Sequence, residues 1–370
     1  MKIMKMMIVV MIFLLYSGCA KEPEYELIRK VNYDCGFDTM CQLNAYVQSE
    51  EEFNAYYESM NEMFSYYNDL FDIYNNYDGL NNIKTVNDMA GIEPVKVDGV
   101  LIELIELAEK IHDISDGAFD ITDGATLKIW HEYRDVGKIK NQNGEYGSIP
   151  STEELDAVKE YKGFEYIEID KEASTVYITD PNVSLDVGGI AKGFATEKIA
   201  KTLEEAGLKY GAVNAGGNQR IIGTQPDGSG YNVGITDPRG SGNIAVIPDQ
   251  KEVSVVTSGD YQNYYFADDG QRYSHIIDPE TSFPATYYTS VTVVVPDSGI
   301  ADCLSTAFFV LDYEEGLELI EKVNEAYGLD IIVVWISEKP LDDTSILSPM
   351  TDTQEYITCS ENFRESLVTE

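Results

Sequence analysis

Asp302 and Thr306 stand four residues apart in Ala301-Asp302-Cys303-Leu304-Ser305-Thr306-Ala307. At helical spacing both side chains share one face. A carboxylate and a hydroxyl there offer two oxygen ligands to a hard cation. Mg²⁺ accepts such a pair and completes its shell with waters, backbone carbonyls and substrate phosphates. The same pair also suits an N-cap Asp and a back-bonded Thr, which is the commoner use of a lone D-x-x-x-T. A second group lies in Ser184-Leu185-Asp186-Val187-Gly188-Gly189-Ile190-Ala191-Lys192-Gly193-Phe194-Ala195. It reads as a strand end, a glycine turn and the start of a helix. Gly188 and Gly189 permit positive φ and close backbone approach. Free N–H groups at the helix start, with Lys192 beside them, suit a phosphate. Such turns are common, so the motif alone is a weak signal.

The chain has three histidines, His112, His131 and His275. His112 falls late in an amphipathic helix and His131 beside Trp130, and both read as structural. His275, in Tyr273-Ser274-His275-Ile276-Ile277-Asp278-Pro279, lies between a turn and Asp-Pro, where it can face a cleft. It is the best candidate general base. Gly117-Ala118-Phe119-Asp120-Ile121-Thr122 reads first as turn chemistry.

These residues need elements to hold them. Phe53, Tyr56, Met60, Met63, Phe64 and Tyr67 recur at helical spacing and predict a helix over Glu51–Leu70. Asp98–Ser115 predicts a second helix, and the capping box Ser151-Thr152-Glu153-Glu154 a short third one. Phe37–Val47 has strand composition, Asn141–Ile149 reads as a polar loop, and Glu165–Ile169 with Thr175–Thr179 reads as a hairpin. The helix after the glycine turn runs to about Ala206. The chain is then mostly β, with a second glycine turn at Ala215-Gly216-Gly217-Asn218, a strong strand at Tyr287–Val295, a helix from Asp302, another near Tyr313–Tyr327 and a buried strand at Ile331–Trp335. No repeat or long linker interrupts this stretch. The expectation is one α+β unit of two lobes with a cleft between them.

The 370 residues carry 65 acids against 26 bases, a net charge of −39, which argues against nucleic-acid binding. Five cysteines without a C-x-x-C argue against a zinc knuckle or redox pair; Cys35 and Cys41 could close a short loop. Residues 1–18 have the form of an export signal: Lys2 and Lys5, an apolar run too short to span a bilayer, then Leu15-Tyr16-Ser17-Gly18-Cys19. Small residues before a cysteine resemble a bacterial lipobox, which predicts a lipidated Cys19 anchored to the outer face of the cytoplasmic membrane. An ordinary secreted protein is the alternative. Residues 19–34 read as a polar tether and residues 35–368 as the folded unit.

Six segments, in order, resemble the ApbE family of FAD:protein FMN transferases. They are Gly117 to Thr122, Leu185 to Ala195, Val213-Asn214-Ala215-Gly216-Gly217-Asn218, Thr257-Ser258-Gly259-Asp260-Tyr261, His275-Ile276-Ile277-Asp278-Pro279 and Asp302 to Ala307. The resemblance implies an α+β domain with mixed and antiparallel sheets flanked by helices and an active site in the cleft. It implies Mg²⁺ held by the Ala191 carbonyl, Asp302 and Thr306. It implies FAD running past Tyr74, Ala118, Phe119, Asp120, Gly188, Lys192, Thr257, Ser258, Gly259, His275 and Ile276. Phe37 stands where the family commonly has Met in M-x-T, and Asp123 and Ala125 replace the family's usual Val and Pro. The implied reaction moves FMN from FAD to a threonine hydroxyl of another protein and releases AMP, with His275 and Asp302 as catalytic groups. The implied acceptor is a Ser/Thr-Gly-Ala-Thr site on an FMN-binding domain of a membrane electron-transfer complex. Asp123-Gly124-Ala125-Thr126 resembles that site only superficially. A Mg²⁺-dependent FAD pyrophosphatase and a non-catalytic FAD-binding lipoprotein are the alternative readings.

Overall fold

The computed structural model describes residues 24–348 and 355–369. The expected signal segment and Cys19 lie outside the described residues. The chain opens with strands β1 (Glu26–Asn32) and β2 (Cys41–Val47), then helices α1 (Glu50–Phe71) and α2 (Ile83–Asp88). A short β3 (Val95–Lys96) leads to α3 (Gly99–Ile114), α4 (Gly124–Gln142) and α5 (Thr152–Asp156). The hairpin β4 (Ile167–Asp170) and β5 (Thr175–Ile178) precedes α6 (Ala191–Glu205). Next come β6 (Tyr210–Ala215), β7 (Asn218–Gly223), β8 (Tyr231–Thr236), β9 (Asn243–Gln250) and β10 (Ser254–Gly259). Four short strands follow: β11 (Tyr264–Phe266), β12 (Arg272–Ser274), β13 (Ile277–Asp278) and β14 (Phe283–Pro284). The chain closes with β15 (Ser290–Val295), α7 (Ser298–Val310), α8 (Tyr313–Tyr327), β16 (Ile332–Ser337), β17 (Ile346–Leu347) and β18 (Tyr356–Cys359).

Nine strands form one sheet in the order β1-β2-β6-β7-β10-β15-β16-β18-β17, and every pairing in it is antiparallel. Side chains alternate across a strand, so one strand feeds two cores. Val291, Val293 and Val295 of β15, with Val333 and Trp335 of β16, enter the main core beneath α1, α3, α6 and α7. Val294, Val334 and Ile336 enter a second core covered by the β8–β9 hairpin. Burial on both faces explains why these strands read as unbroken apolar runs.

A third cluster joins Trp130 of α4, Leu155 of α5, Tyr265 of β11, Ala267 and Ile277. It forms the smaller lobe and carries the His275 segment. Gly137 makes it possible: any side chain there would collide with the Tyr265 ring. Trp130 donates from Nε1 to the Ser282 carbonyl at 2.8 Å and ties α4 to the β13–β14 hairpin.

Three sequence expectations change. The segment expected as tether contains β1, paired with β2 from Glu26↔Val47 to Asn32↔Cys41. No β1 side chain is fully buried; a charged edge strand held by backbone bonds has no apolar signature. The expected strand at Phe37–Val47 begins only at Cys41, because Gly36, Phe37 and Asp38 all take positive φ, at 94°, 54° and 50°. Cys35 and Cys41 close that loop as a disulfide. Lastly, α4 extends through what read as the start of a loop at Asn141.

Candidate active site

α6 and α7 cross where Gly193 removes a side chain. A Cβ on Gly193 would overlap both the Asp302 Cβ and the Ser298 carbonyl oxygen. The close approach lets Gly193 N–H donate to Asp302 Oδ2 at 2.7 Å. Asp302 is buried, and burial raises its pKa against the opposing pull of Lys192, the Gly193 N–H and Asn218. Thr306 sits one turn on, its hydroxyl donating to the Asp302 carbonyl at 3.4 Å. A Cβ on Gly189 would lie 3.4 Å from Thr306 Oγ1 and 2.9 Å from the Phe119 ring. The glycine turn, the first turn of α6 with Ala191, and the Asp302–Thr306 face of α7 therefore converge. The donors there are oxygens around one buried carboxylate that has a positive neighbour but, among the described residues, no ion-pair partner within 4.0 Å. Such a set fits Mg²⁺, which takes one or two protein carboxylates and substrate phosphate oxygens. Among the described residues no cluster of three or more His, Cys, Asp or Glu side chains forms an all-protein cage.

The turn itself differs from expectation. Neither Gly188 nor Gly189 takes positive φ; the second turn does, at Gly216 (58°) and Gly217 (98°). Gly188 and Gly189 are small because Asp186 and Phe119 occupy the space beside them. The helix start is also less open than predicted. Gly188 N–H donates to Asp186 Oδ1, the Ile190 and Ala191 N–H groups donate to the Val187 carbonyl, and Gly193 donates to Asp302. The anion-attracting group left at this turn is the Lys192 ammonium, 3.4 Å from the Gly188 carbonyl.

His275 lies between β12 and β13. Its Nδ1 is buried with no hydrogen-bond partner. Burial, then repulsion by Lys192, Arg134, His131 and Lys138, pushes its pKa down to about 3, so the imidazole is neutral. Three of these neighbours, His131, Arg134 and Lys138, come from one face of α4 at helical spacing. Lys192 forms no ion pair within 4.0 Å among the described residues. Lys138 Nζ donates to Asn263 Oδ1, and the nearest carboxylate to Arg134 Nε is Asp135 at 3.9 Å. In a chain of net charge −39, three cations gathered around one imidazole with a single long carboxylate contact between them favour an anion.

The remaining predicted residues sort by strand and turn geometry. Ser258 Oγ lies 2.8 Å from Ser305 Oγ on α7. Its neighbour Thr257 faces the other side of the sheet, where its hydroxyl pairs with Thr292 at 2.8 Å. Only the Thr257 backbone is shared with the α7 side. Gly259 ends β10 against the Tyr261 ring. Asp120 has its carboxylate engaged by Thr122, at 2.7 Å from N and 2.6 Å from Oγ1, which is the turn chemistry expected of that pair. Phe119 is buried beside Gly189 and Ala118 is half-buried. Ile276 is buried and accepts the Ala285 N–H through its carbonyl. Phe37 turns its ring toward Phe64 and Phe71 of α1. Tyr74 is 62 % exposed and meets His131. Thr126 is fully buried in the first turn of α4, so the acceptor-like Asp123–Thr126 run is out of reach of any enzyme.

His131, Arg134 and Lys138 are the residues around His275 that the sequence reading did not bring to the candidate site. Their signal was a polar stripe at i, i+3 and i+7, and it went unread because α4 itself did. His112, by contrast, is structural as expected: its Nδ1 lies 3.1 Å from the Phe119 carbonyl.

The comparisons with known proteins concern the chain as a whole. The ApbE family model matches residues 37–331. A Treponema pallidum protein named FAD:protein FMN transferase is 35 % identical over 276 residues, covering 68 % of this chain and 70 % of its own length. A Haemophilus influenzae protein of the same name is 31 % identical over 243 residues, covering 64 % of this chain and 68 % of its own. The crystal structure of the ApbE protein from Thermotoga maritima superposes with a TM-score of 0.74 at 28 % identity, covering 92 % of this chain and 99 % of that one. The flavin transferase ApbE from Vibrio cholerae, at 24 % identity and a TM-score of 0.71, shares the fold. With four-fifths of its length under one family model and a relative 35 % identical over 68 % of the chain, this chain belongs to the ApbE family.

Proposed function

We propose that this protein transfers FMN from FAD to a threonine hydroxyl of an acceptor flavoprotein and releases AMP. The observation that carries the reading is the set of cations Lys192, Arg134 and Lys138 around the neutral His275, next to the oxygen donors of Asp302 and Thr306. That pairing suits a pyrophosphate: the cations take its charge and the oxygens take its counter-ion. The names of the relatives support FAD as the donor.

Mg²⁺ held by Asp302, Thr306 and the Ala191 carbonyl would neutralise the pyrophosphate and the departing AMP. The residues of the chain supply the rest. Lys192, Arg134 and Lys138 orient the phosphates. Tyr74, exposed beside them, offers a flat face to the isoalloxazine. His275 accepts the threonine proton as the threonine oxygen bonds to the FMN phosphorus and the bond from that phosphorus to the AMP oxygen breaks. Its low pKa in the free protein is part of the design: an anion bound among Lys192, Arg134 and Lys138 cancels their repulsion and draws the imidazole toward the working range of a base.

The acceptor we infer is an FMN-binding domain with a Ser/Thr-Gly-Ala-Thr site, and the location the outer face of the cytoplasmic membrane through lipidated Cys19. The Cys35–Cys41 disulfide supports an oxidising compartment. Among the described residues no helix is long and apolar enough to cross a membrane. Cys19→Ser should release the protein from membranes with its catalysis unchanged; continued association would remove the anchor.

The decisive assay incubates protein lacking residues 1–19 with FAD and Mg²⁺, with and without the acceptor domain, and follows covalent flavin fluorescence and AMP. Fluorescent acceptor that requires Mg²⁺ supports transfer. AMP without labelled acceptor replaces transfer by pyrophosphate hydrolysis. Bound FAD with neither product replaces it by a carrier.

A further inference from the structure

We propose that His131 is a positioning residue that braces the exposed Tyr74 ring against the glycine turn, through the chain Tyr74–His131–Asp186–Gly188. Tyr74 Oη lies 2.9 Å from His131 Nδ1. On the far side of the imidazole, Nε2 lies 3.6 Å from Asp186 Oδ2. The other Asp186 oxygen accepts the Gly188 N–H at 2.9 Å. Three separate elements meet here: the loop after α1, the face of α4 and the turn before α6.

The protons in this chain have a definite direction. Burial, then the Asp186 charge, holds the Tyr74 phenol up at about 12, so it stays protonated and donates. Burial holds His131 below the usual histidine range, against the pull of Asp186, so it is neutral. A neutral imidazole that accepts at Nδ1 carries its proton on Nε2, which faces Asp186. The tyrosine backbone is fixed separately, by its N–H on Asp72 Oδ1 at 2.6 Å. Without His131 the backbone would hold while the ring, 62 % exposed, would sample several rotamers, at an entropic cost when a ligand orders it again. The brace matters for function because a planar ring stacks on an aromatic partner only in a restricted set of orientations. This part rests on the reading that the site takes FAD.

The test measures FAD affinity of the full chain by flavin fluorescence for wild type, Tyr74→Phe, His131→Ala, His131→Asn and the Tyr74→Phe/His131→Ala double variant. His131→Ala and Tyr74→Phe should each weaken FAD by roughly 3–10-fold, the range of one hydrogen bond, and the double variant by no more than the worse single one. His131→Asn, whose amide puts a polar atom where Nδ1 was, should recover most of the loss. Wild-type affinity in His131→Ala, losses that multiply in the double variant, or no recovery in His131→Asn would each overturn the brace. NMR of ring-labelled tyrosine reads it without ligand: the Tyr74 signal, assigned by its disappearance in Tyr74→Phe, should move in His131→Ala. An unmoved signal overturns the brace even where FAD binds. Failure of wild type to bind FAD instead sinks the FAD reading, and the tyrosine signal still decides the brace.

Discussion

Gly193 gives Asp302 both a hydrogen bond and room. Its N–H reaches Asp302 Oδ2 at 2.7 Å, and its missing side chain is what lets α7 come that close. Helix propensity alone says that Gly193→Ala should stabilise α6 by about 1 kcal/mol. The overlap with Asp302 and the Ser298 carbonyl reverses the sign. Forcing a methyl into a packed contact costs about 1–3 kcal/mol. Gly193→Ala should lower the urea midpoint and weaken Mg²⁺-dependent turnover together. A midpoint at or above wild type would mean that the α6–α7 crossing is looser than described.

Asp302→Asn tests the cation role without a hole. The amide oxygen can still accept from Gly193, so the melting temperature should move little. The negative charge is gone, so AMP release should fall on the order of 10²-fold or more. Activity within a few-fold of wild type at any Mg²⁺ concentration would remove Asp302 from the ligand set.

Much of this site was legible in sequence because its parts are local. D-x-x-x-T on a helix, a glycine turn before a helix, and His275 before Asp-Pro are each short and local, weak alone, and it is their order within the ApbE resemblance that joins them into a candidate site. What the sequence hid was the meeting of distant elements. α4 carries Gly124 and Gly137, which weaken its periodicity, and both are small because of partners far along the chain, Ser184 and Tyr265. Missing α4 meant missing His131, Arg134 and Lys138. The fold class was readable from alternating strands and amphipathic helices. β1 was not, because an edge strand pairs through its backbone. The roles of Gly188 and Gly189 were misjudged for a related reason: positive φ is a property of the residue, but room for Phe119 is a property of the fold.

Glu197 ties the site to the sheet. Its Oε2 accepts Arg220 Nε at 3.1 Å and the Ser298 N–H at 2.7 Å, and Lys201 Nζ lies 3.2 Å from Oε1. Glu197 and Arg220 are both buried. Glu197→Ala leaves the buried guanidinium with only the partly exposed Glu204, 3.6 Å from Nη2, and should cost about 3 kcal/mol. In Glu197→Leu/Arg220→Met no charge is stranded, and the main residual loss is the Ser298 N–H, about 1–3 kcal/mol. Urea unfolding of both variants checks the order; a double variant worse than the single would show that the pair stabilises by attraction rather than by avoiding a stranded charge.

The Cys35–Cys41 bridge holds a strained loop. Phe37 and Asp38 sit in the left-handed region at φ 54° and 50°, a conformation that costs of order 1–3 kcal/mol per residue. The Phe37 N–H on Asn68 Oδ1 at 2.7 Å and the closed ring of the disulfide hold it there. Closing so short a loop is worth about 2 kcal/mol. Cys35→Ser/Cys41→Ser, or reduction by a dithiol, should lower stability by that amount. FAD affinity should fall with it, because the Asp38 carboxylate of this loop lies near enough to act on both Tyr74 and Lys138. Loss of stability with unchanged FAD binding would place this loop outside the site.

His275 makes two predictions with one cause. As a base, it should matter for transfer and little for binding. His275→Ala should slow acceptor labelling by ~10²–10⁴-fold and leave FAD affinity within a few-fold; equal losses in both would make it a binding residue. As a buried neutral imidazole it also sets an acid limit on stability. Its folded pKa is about 3, while an unfolded histidine titrates near 6.5. Between those values the unfolded chain takes up a proton that the native one refuses, so stability rises with pH across that window and is lost as pH falls below its upper edge. Urea midpoints should therefore drop more steeply from about pH 7 to about pH 4 in wild type than in His275→Gln, which has no proton to take up. Parallel slopes in the two proteins would mean that His275 is solvated and charged in the acid range.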